Sequence, residues 1–272
     1  MNEERNAALA ISGDVDTGAK PQAFFLGDSH TVCIIGAAKG IDPETLPFSV
    51  FASRFEKVKR EKAGVIAGMT MQATIEMLTR ASANDVLVSL IRGNQFNAIG
   101  LMQHPEPFNF FDPDSDNSDI SPDEHLIPSS VIEDMFAKYA GAPRNNFLLD
   151  AKDYFKGRRF RVVPPPPKYD NEFIRSHAET MFRDRGIETF GVTHPEVRMK
   201  LWRAQVRAMR GLYEPLGVGV LMPPPESVDV DGYLKLEYYG PDATHANDKY
   251  GRLVIAQVAA LVDGIPQGGA DA

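Results

Sequence analysis

Three short segments of this chain carry the side chains of nucleophilic acyl chemistry. Gly27-Asp28-Ser29 lies near one end, Asp242-Ala243-Thr244-His245 near the other, and Gly93-Asn94 between them. A serine hydroxyl becomes a nucleophile when an imidazole takes its proton, and a carboxylate that holds the imidazole fixes its tautomer. An amide donor beside them stabilises the oxyanion that attack creates. Asp242 stands three residues before His245, a spacing that in a turn lets the carboxylate reach the ring. Each segment also has a plainer explanation. Ser29 fits the N-cap of a helix. Asp242-x-x-His245 fits a turn ahead of a helix, with Asp242 or Thr244 as cap, and Gly93-Asn94 fits a turn pair. What separates chemistry from local structure is whether the fold brings the three segments to one place.

The elements that must do so are legible as apolar runs at 23–26, 48–51, 86–91, 159–163 and 218–222. They are short and continuous, and most stop at Gly or Pro, as strands buried on both faces do. Helical patterns lie between and after them: a helix start over 30–38, a pattern over 69–81, and one over 197–213 with Val197, Leu201, Ala204, Ala208 and Leu212 on one face. The last helix repeats apolar residues at Tyr250, Leu253, Val254, Val258 and Leu261. Strands alternating with helices predict a parallel sheet covered on both faces. Ligands of such sheets bind beyond the carboxyl ends of the strands, which is where Ser29 and Asn94 fall.

Composition sets the limits. The chain is 43% hydrophobic and 24% charged, ordinary for a globular protein. A net charge of −8 argues against non-specific binding to nucleic acid or to an anionic membrane. No run approaches the roughly 18–20 apolar residues that span a bilayer. The opening Met1-Asn2-Glu3-Glu4-Arg5 lacks the basic start and apolar core of a secretory signal. A cytoplasmic location is therefore expected. The single cysteine, Cys33, rules out an intrachain disulfide or a cysteine-clustered metal site and reads as a buried inert thiol among Val32, Ile34 and Ile35. Residues 1–20 are expected to form a disordered or loosely attached tail, and 21–272 a single domain with a loop insertion at about 102–130.

The motifs together resemble those of the SGNH, or GDSL-type, hydrolases. Gly27-Asp28-Ser29 matches that family's nucleophile turn, and Asp242-Ala243-Thr244-His245 its C-terminal Asp-x-x-His. The third block departs, with Arg92-Gly93-Asn94-Gln95 where the family often has Gly-x-Asn-Asp; Asn94 is its natural oxyanion asparagine, and Asn97 a rival. The second block offers two glycines, Gly64 and Gly68, with Gly64 preferred; the usual preceding asparagine is missing from both. The likeness runs from about residue 22 to 262. It implies a flavodoxin-like three-layer α/β/α sandwich around a central parallel sheet of about five strands. It also implies ester hydrolysis through an acyl-enzyme on Ser29, with His245 as base, Asp242 as its orienter, and the N–H groups of Ser29 and Gly64 with the Asn94 amide as oxyanion hole. The expected partner is a small-molecule or carbohydrate ester, with a small acyl group. No cofactor and no metal is implied. An O-acyltransferase acting on a carbohydrate, or a non-catalytic binding module of the same fold, would keep the same residues.

Other features have their own expectations. His30 reads as a solvated first-turn histidine, and Asp28 as a partner of neighbouring backbone. Arg158, Arg159 and Arg161 begin the fourth strand, so a solvated surface at the far sheet edge is expected. The run 112–123 has acids at alternating positions like a calcium loop, but its sixth residue is Asn117 rather than Gly and its twelfth Asp123 rather than Glu. A solvated acidic loop is the preferred reading. Phe108, Phe110 and Phe111 fit a pocket cover or the core equally well.

Overall fold

A computed structural model describes residues 20–55, 68–142 and 147–263 of the chain. The strands are β1 (Gln22–Gly27), β2 (Ser49–Arg54), β3 (Val86–Leu90), β4 (Phe108–Asn109), β5 (His125–Leu126), β6 (Arg158–Val162) and β7 (Gly219–Leu221). The helices are α1 (Thr31–Ala38), α2 (Met71–Thr79), α3 (Gln95–Gly100), α4 (Ser129–Ala140), α5 (Phe147–Asp150), α6 (Asn171–Ser176), α7 (Thr180–Asp184), α8 (Ile187–Phe190), α9 (Pro195–Tyr213) and α10 (Asp248–Asp263). Five strands form one sheet in the order β2-β1-β3-β6-β7, every pair parallel. All five apolar runs of the sequence became strands of this sheet.

Strand alternation sorts the core into two layers. Ala23, Phe25, Val86, Val88, Leu90 and Val162 face one side, where they meet Cys33, Ile34 and Ala37 of α1 and Tyr250, Val254, Ile255 and Val258 of α10. Phe24, Leu26, Leu87 and Val163 face the other, against Leu78 of α2, Ile132 and Phe136 of α4, Phe147 and Leu148 of α5, and α9. Helices thus cover both faces of a parallel sheet, which is the three-layer sandwich. Among the described residues no helix is long and apolar enough to cross a membrane.

The segment 102–130 departs from expectation. It is not a plain loop: β4 and β5 pair in parallel as a small second sheet. Asp114, Asp116 and Asp123 are exposed as expected, but two of its acids are not. Asp112 is wholly buried and pairs with Arg207 at 2.8 Å and Arg203 at 3.5 Å. Asp119 pairs with buried Lys200 at 2.6 Å. The cause is α9, which is sandwiched between the sheet and this segment. Its outward cations find partners in the acidic loop, and a buried charge must be paired. Of the three phenylalanines, Phe110 joins the core and Phe111 is exposed.

Candidate active site

β1 and β3 flank the point where the strand order reverses, so the segments leaving them bound the crevice that such sheets use for ligands. Ser29 follows β1 in a turn closed by Thr31 N–H to Asp28 O (3.2 Å) and Val32 N–H to Ser29 O (3.1 Å). It is half-buried, and among the described residues its hydroxyl caps nothing; the N-cap of α1 is His30, which makes no side-chain cap bond. The plain explanation of Ser29 as a helix cap therefore does not hold.

Arg92, Gly93 and Asn94 follow β3 in an unusual backbone. Arg92 has φ 54° and Gly93 φ 104°, both in the region where glycine alone is at ease. Four contacts hold this conformation. The Arg92 N–H donates to Asp28 Oδ2 at 3.0 Å, and the buried Arg161 donates to the Arg92 carbonyl at 3.1 Å. Gln205 of α9 donates to the Gly93 carbonyl at 2.5 Å, and the Gly93 N–H donates to Gln95 Oε1 at 3.1 Å. Asp28 thus links the residue before Ser29 to the turn before Asn94, in keeping with its expected backbone role. Asn94 opens α3 without capping it. Its Oδ1 accepts from Asn97 Nδ2 at 2.6 Å, which leaves the Asn94 Nδ2 to donate elsewhere. Asn97, the rival, is buried and spends its amide on Asn94.

His245 arrives from the opposite end of the chain because α10 packs hard on α1. A Cβ at Gly251 would lie 2.2 Å from the Cys33 carbonyl oxygen, so only glycine permits this approach. The crossing brings the segment before α10 against the start of α1, and the His245 ring lies 4.7 Å from that of His30, the residue after Ser29. His30 is therefore buried, 8% exposed, rather than solvated as its first-turn position suggests. Burial, helped by the neighbouring charges of His245 and Arg161, pushes its pKa down to about 3, so it stays neutral at working pH.

Asp242 holds His245 tightly. The ring Nδ1 lies 2.8 Å from Oδ2 and 3.0 Å from Oδ1. Oδ1 also accepts the N–H groups of Thr244 (3.0 Å) and His245 (2.8 Å). Burial raises the Asp242 pKa, but the His245 contact and the two N–H bonds outweigh it and bring it down to about 2. The helix that follows is capped by Asn247, whose Oδ1 accepts from Lys249 (2.9 Å) and Tyr250 (3.3 Å). Asp242 and Thr244 are thus not its caps. With Nδ1 engaged, Nε2 of His245 is the remaining base; it is buried and has no hydrogen-bond partner among the described residues. The Ser29 hydroxyl is not bonded to it in this state.

Two residues that the sequence did not single out support this turn, and a third, Gln205, supports the Gly93 turn. Lys168 donates to the carbonyls of Asp242 and Gly240, with its ammonium 4.6 and 4.8 Å from the rings of Phe173 and Tyr239. Burial lowers its pKa to about 8 against the pull of Asp242 and Glu179. Glu179 accepts from the Thr244 hydroxyl at 2.5 Å and stands 4.0 Å from His245 Nδ1. Glu179, Asp242 and His245 are close enough together to chelate a cation, yet Asp242 already binds Nδ1 at hydrogen-bonding distance, which is how a carboxylate orients an imidazole. No spacing rule flags Lys168 or Glu179. Gln205 had a signal: it is a polar residue four positions after Leu201, on the inward stripe of α9.

Arg161 corrects a second expectation. It lies one residue before the end of β6, near the carboxyl edge, and is only 4% exposed. Its strand position turns it toward the α9 layer, under the Arg92-Gly93 turn, not out to solvent. Cys33 is buried as expected, and desolvation pushes its thiol up to about 12. Of the two candidate glycines, Gly64 lies outside the described residues. Gly68 is half-buried and precedes Met69, whose N–H bonds the Arg54 carbonyl at the end of β2 (2.9 Å).

No known protein-family model matches the chain, and no curated protein matches it. Solved structures do resemble it. An aryl esterase of M. smegmatis aligns at 12% identity over 90% of this chain and 100% of that one, with a TM-score of 0.42. A carbohydrate acetylesterase of Sinorhizobium meliloti aligns at 12% identity over 89% and 100%, with a TM-score of 0.39. The periplasmic domain of a lipopolysaccharide acetyltransferase from Salmonella ser. Paratyphi A aligns at 10% identity over 92% and 85%, with a TM-score of 0.45. At these values the likeness carries no inference about the site, whose reading rests on the geometry above.

Proposed function

We propose that this chain is an SGNH-type serine esterase that cleaves a carboxylic ester through an acyl-enzyme on Ser29. The observation that carries the reading is the Asp242–His245 pair lodged against His30, beside Ser29, at the carboxyl end of β1. Residues more than two hundred positions apart meet at the sheet edge where ligands bind.

The chemistry follows from the atoms available. Ser29 Oγ attacks the acyl carbonyl carbon as its proton passes to His245 Nε2. Asp242 holds the Nδ1–H and stabilises the imidazolium; it does not take the proton. The carbonyl oxygen becomes an oxyanion, and the Ser29 N–H and Asn94 Nδ2 are the donors for it, with the N–H of Gly64, or of Gly68 in its place, as the third. His245 then protonates the leaving alcohol, and water repeats the sequence to release the acid. The Ser29–His245 hydrogen bond must form in the substrate complex, as catalytic bonds that are absent or long in the free protein commonly do.

Turnover of 4-nitrophenyl acetate by the native chain and by Ser29→Ala tests this, together with fluorophosphonate labelling located by mass spectrometry. Label on Ser29 and loss of turnover in the variant are expected. Undiminished turnover by Ser29→Ala would remove Ser29 as nucleophile. Asp242→Asn should lower kcat by about 10⁴-fold with folding intact, because the asparagine oxygen still caps Thr244 and His245 while the carboxylate is lost. A drop of only a few-fold would mean that Asp242 does not orient the base.

A further inference from the structure

Behind the Arg92-Gly93 turn, on the α9 side of the sheet, lies an open-mouthed recess whose enclosed volume is about 20 Å³. Its walls include Arg92, Gly93, Arg161, Gln205 and Tyr213. No carboxylate lines it, in a chain with a net charge of −8.

Both arginines are short of partners. Arg161 is 4% exposed, yet its contacts are neutral: the Ser89 hydroxyl at 3.3 Å, the Arg92 carbonyl at 3.1 Å and the face of Tyr213 at 5.9 Å. Its Nε is buried with no hydrogen-bond partner among the described residues. Arg92 is half-buried and forms no ion pair among the described residues. Asp28, whose charge Arg161 feels without an ion pair, spends Oδ2 on the Arg92 amide and does not line the recess. A buried guanidinium without a carboxylate is costly and is seldom retained without a charged partner. The other buried cations are better provided: Lys200 and Arg207 have carboxylates, and Arg198, which has none, donates to four neutral oxygens, of Asn171, Thr193, Lys168 and Tyr169.

We propose that the recess is a subsite for an anionic group, a carboxylate or phosphate, borne by the ester that Ser29 cleaves. A planar guanidinium suits either group, and a partly desolvated pair of cations strengthens the attraction. The position fits a substrate arm, because Gly93 forms both the wall of the recess and the residue before Asn94. The inference rests on the esterase reading of Ser29 for its location relative to the scissile bond, but not for the anion binding itself.

Two matched ester pairs test it. Mono(4-nitrophenyl) glutarate against 4-nitrophenyl butyrate places the charge on the acyl side. 4-Acetoxybenzoate against its methyl ester places it on the alcohol side. One pair should favour the anionic member at least tenfold in kcat/KM, and Arg92→Gln should bring that ratio toward unity. Ratios at or below unity in both pairs, or a preference untouched by Arg92→Gln, would overturn the proposal. A separate arm needs no turnover: calorimetric titration of inorganic phosphate into the Ser29→Ala protein. Saturable binding that Arg92→Gln weakens at least tenfold supports the subsite, and its absence overturns it. If Ser29→Ala still turns over 4-nitrophenyl acetate, the nucleophile has been misassigned, and the titration still decides the anion site.

Discussion

The two faces of the sheet position the two halves of the site by different means. On one face α1 and α10 meet through apolar side chains and close backbone, and this contact delivers His245 to the neighbourhood of Ser29. On the other, α9 is threaded with buried polar groups, and Gln205 and Arg161 reach across to pin the turn that carries Asn94. His245 is placed by shape and Asn94 by hydrogen bonds. Shape complementarity fails gradually when a side chain changes size. A buried polar link fails abruptly, because its orphaned partner keeps the full desolvation cost.

The polar face should therefore show the larger stability effects. Asp119→Asn removes the carboxylate from Lys200, which lies buried with only Asn109 Oδ1 (3.2 Å) and the Phe110 carbonyl (3.3 Å) as remaining acceptors. Leaving that ammonium without its counter-charge should cost about 3–5 kcal/mol, measured by urea or thermal unfolding. A loss under about 1 kcal/mol would show that the pair behaves as an exposed one and that the contrast between faces is false.

On the apolar face the counterpart is Gly251→Ala. The added methyl meets the Cys33 carbonyl at 2.2 Å, so the helices must part slightly, at about 1–3 kcal/mol. Because His245 lies in the segment that leads into α10, the same displacement should lower kcat more than it alters KM. A variant that loses stability but keeps full kcat would mean that the segment from Gly240 to Asn247 is placed by its own hydrogen bonds, through Lys168 and Asp242, and not by the helix behind it.

This division also explains what could be read from the sequence. The apolar face and the strands were legible because burial on both sides leaves unbroken hydrophobic runs, and 86–91 is a fair example. The Gly27-Asp28-Ser29 and Asp242-x-x-His245 segments were legible because their chemistry is local. The polar face was not. Arg161 looks like a surface cation in a basic cluster, and only its register in β6 shows it turned inward. Asp112 and Asp119 look solvated until α9 supplies Arg207 and Lys200 from some ninety residues away. Long-range pairing of charges leaves no periodicity in either partner. His30 was misjudged for a related reason, since nothing near it in sequence announces that His245 will cover it.

His30 offers the finest test of how closely the two halves of the site meet. Its pKa in the folded protein is about 3, against an ordinary value near 6.5. The unfolded chain therefore takes up a proton at His30 below about pH 6.5, and the folded chain does not do so until about pH 3. Stability must fall as pH drops through this window, by up to about 1.4 kcal/mol per unit from this group alone. Asp242 acts in the opposite region: with a folded pKa of about 2, its contribution is present above the ordinary carboxylate range and lost only below it. The interval from pH 6.5 to 4.5 thus isolates His30 from Asp242. His30→Gln should flatten the acid limb of the stability curve there by roughly 2 kcal/mol relative to the native chain. Parallel curves would mean that the imidazole at position 30 reaches solvent, that the contact with His245 opens readily, and that the apolar face holds His245 less firmly than the polar face holds Asn94.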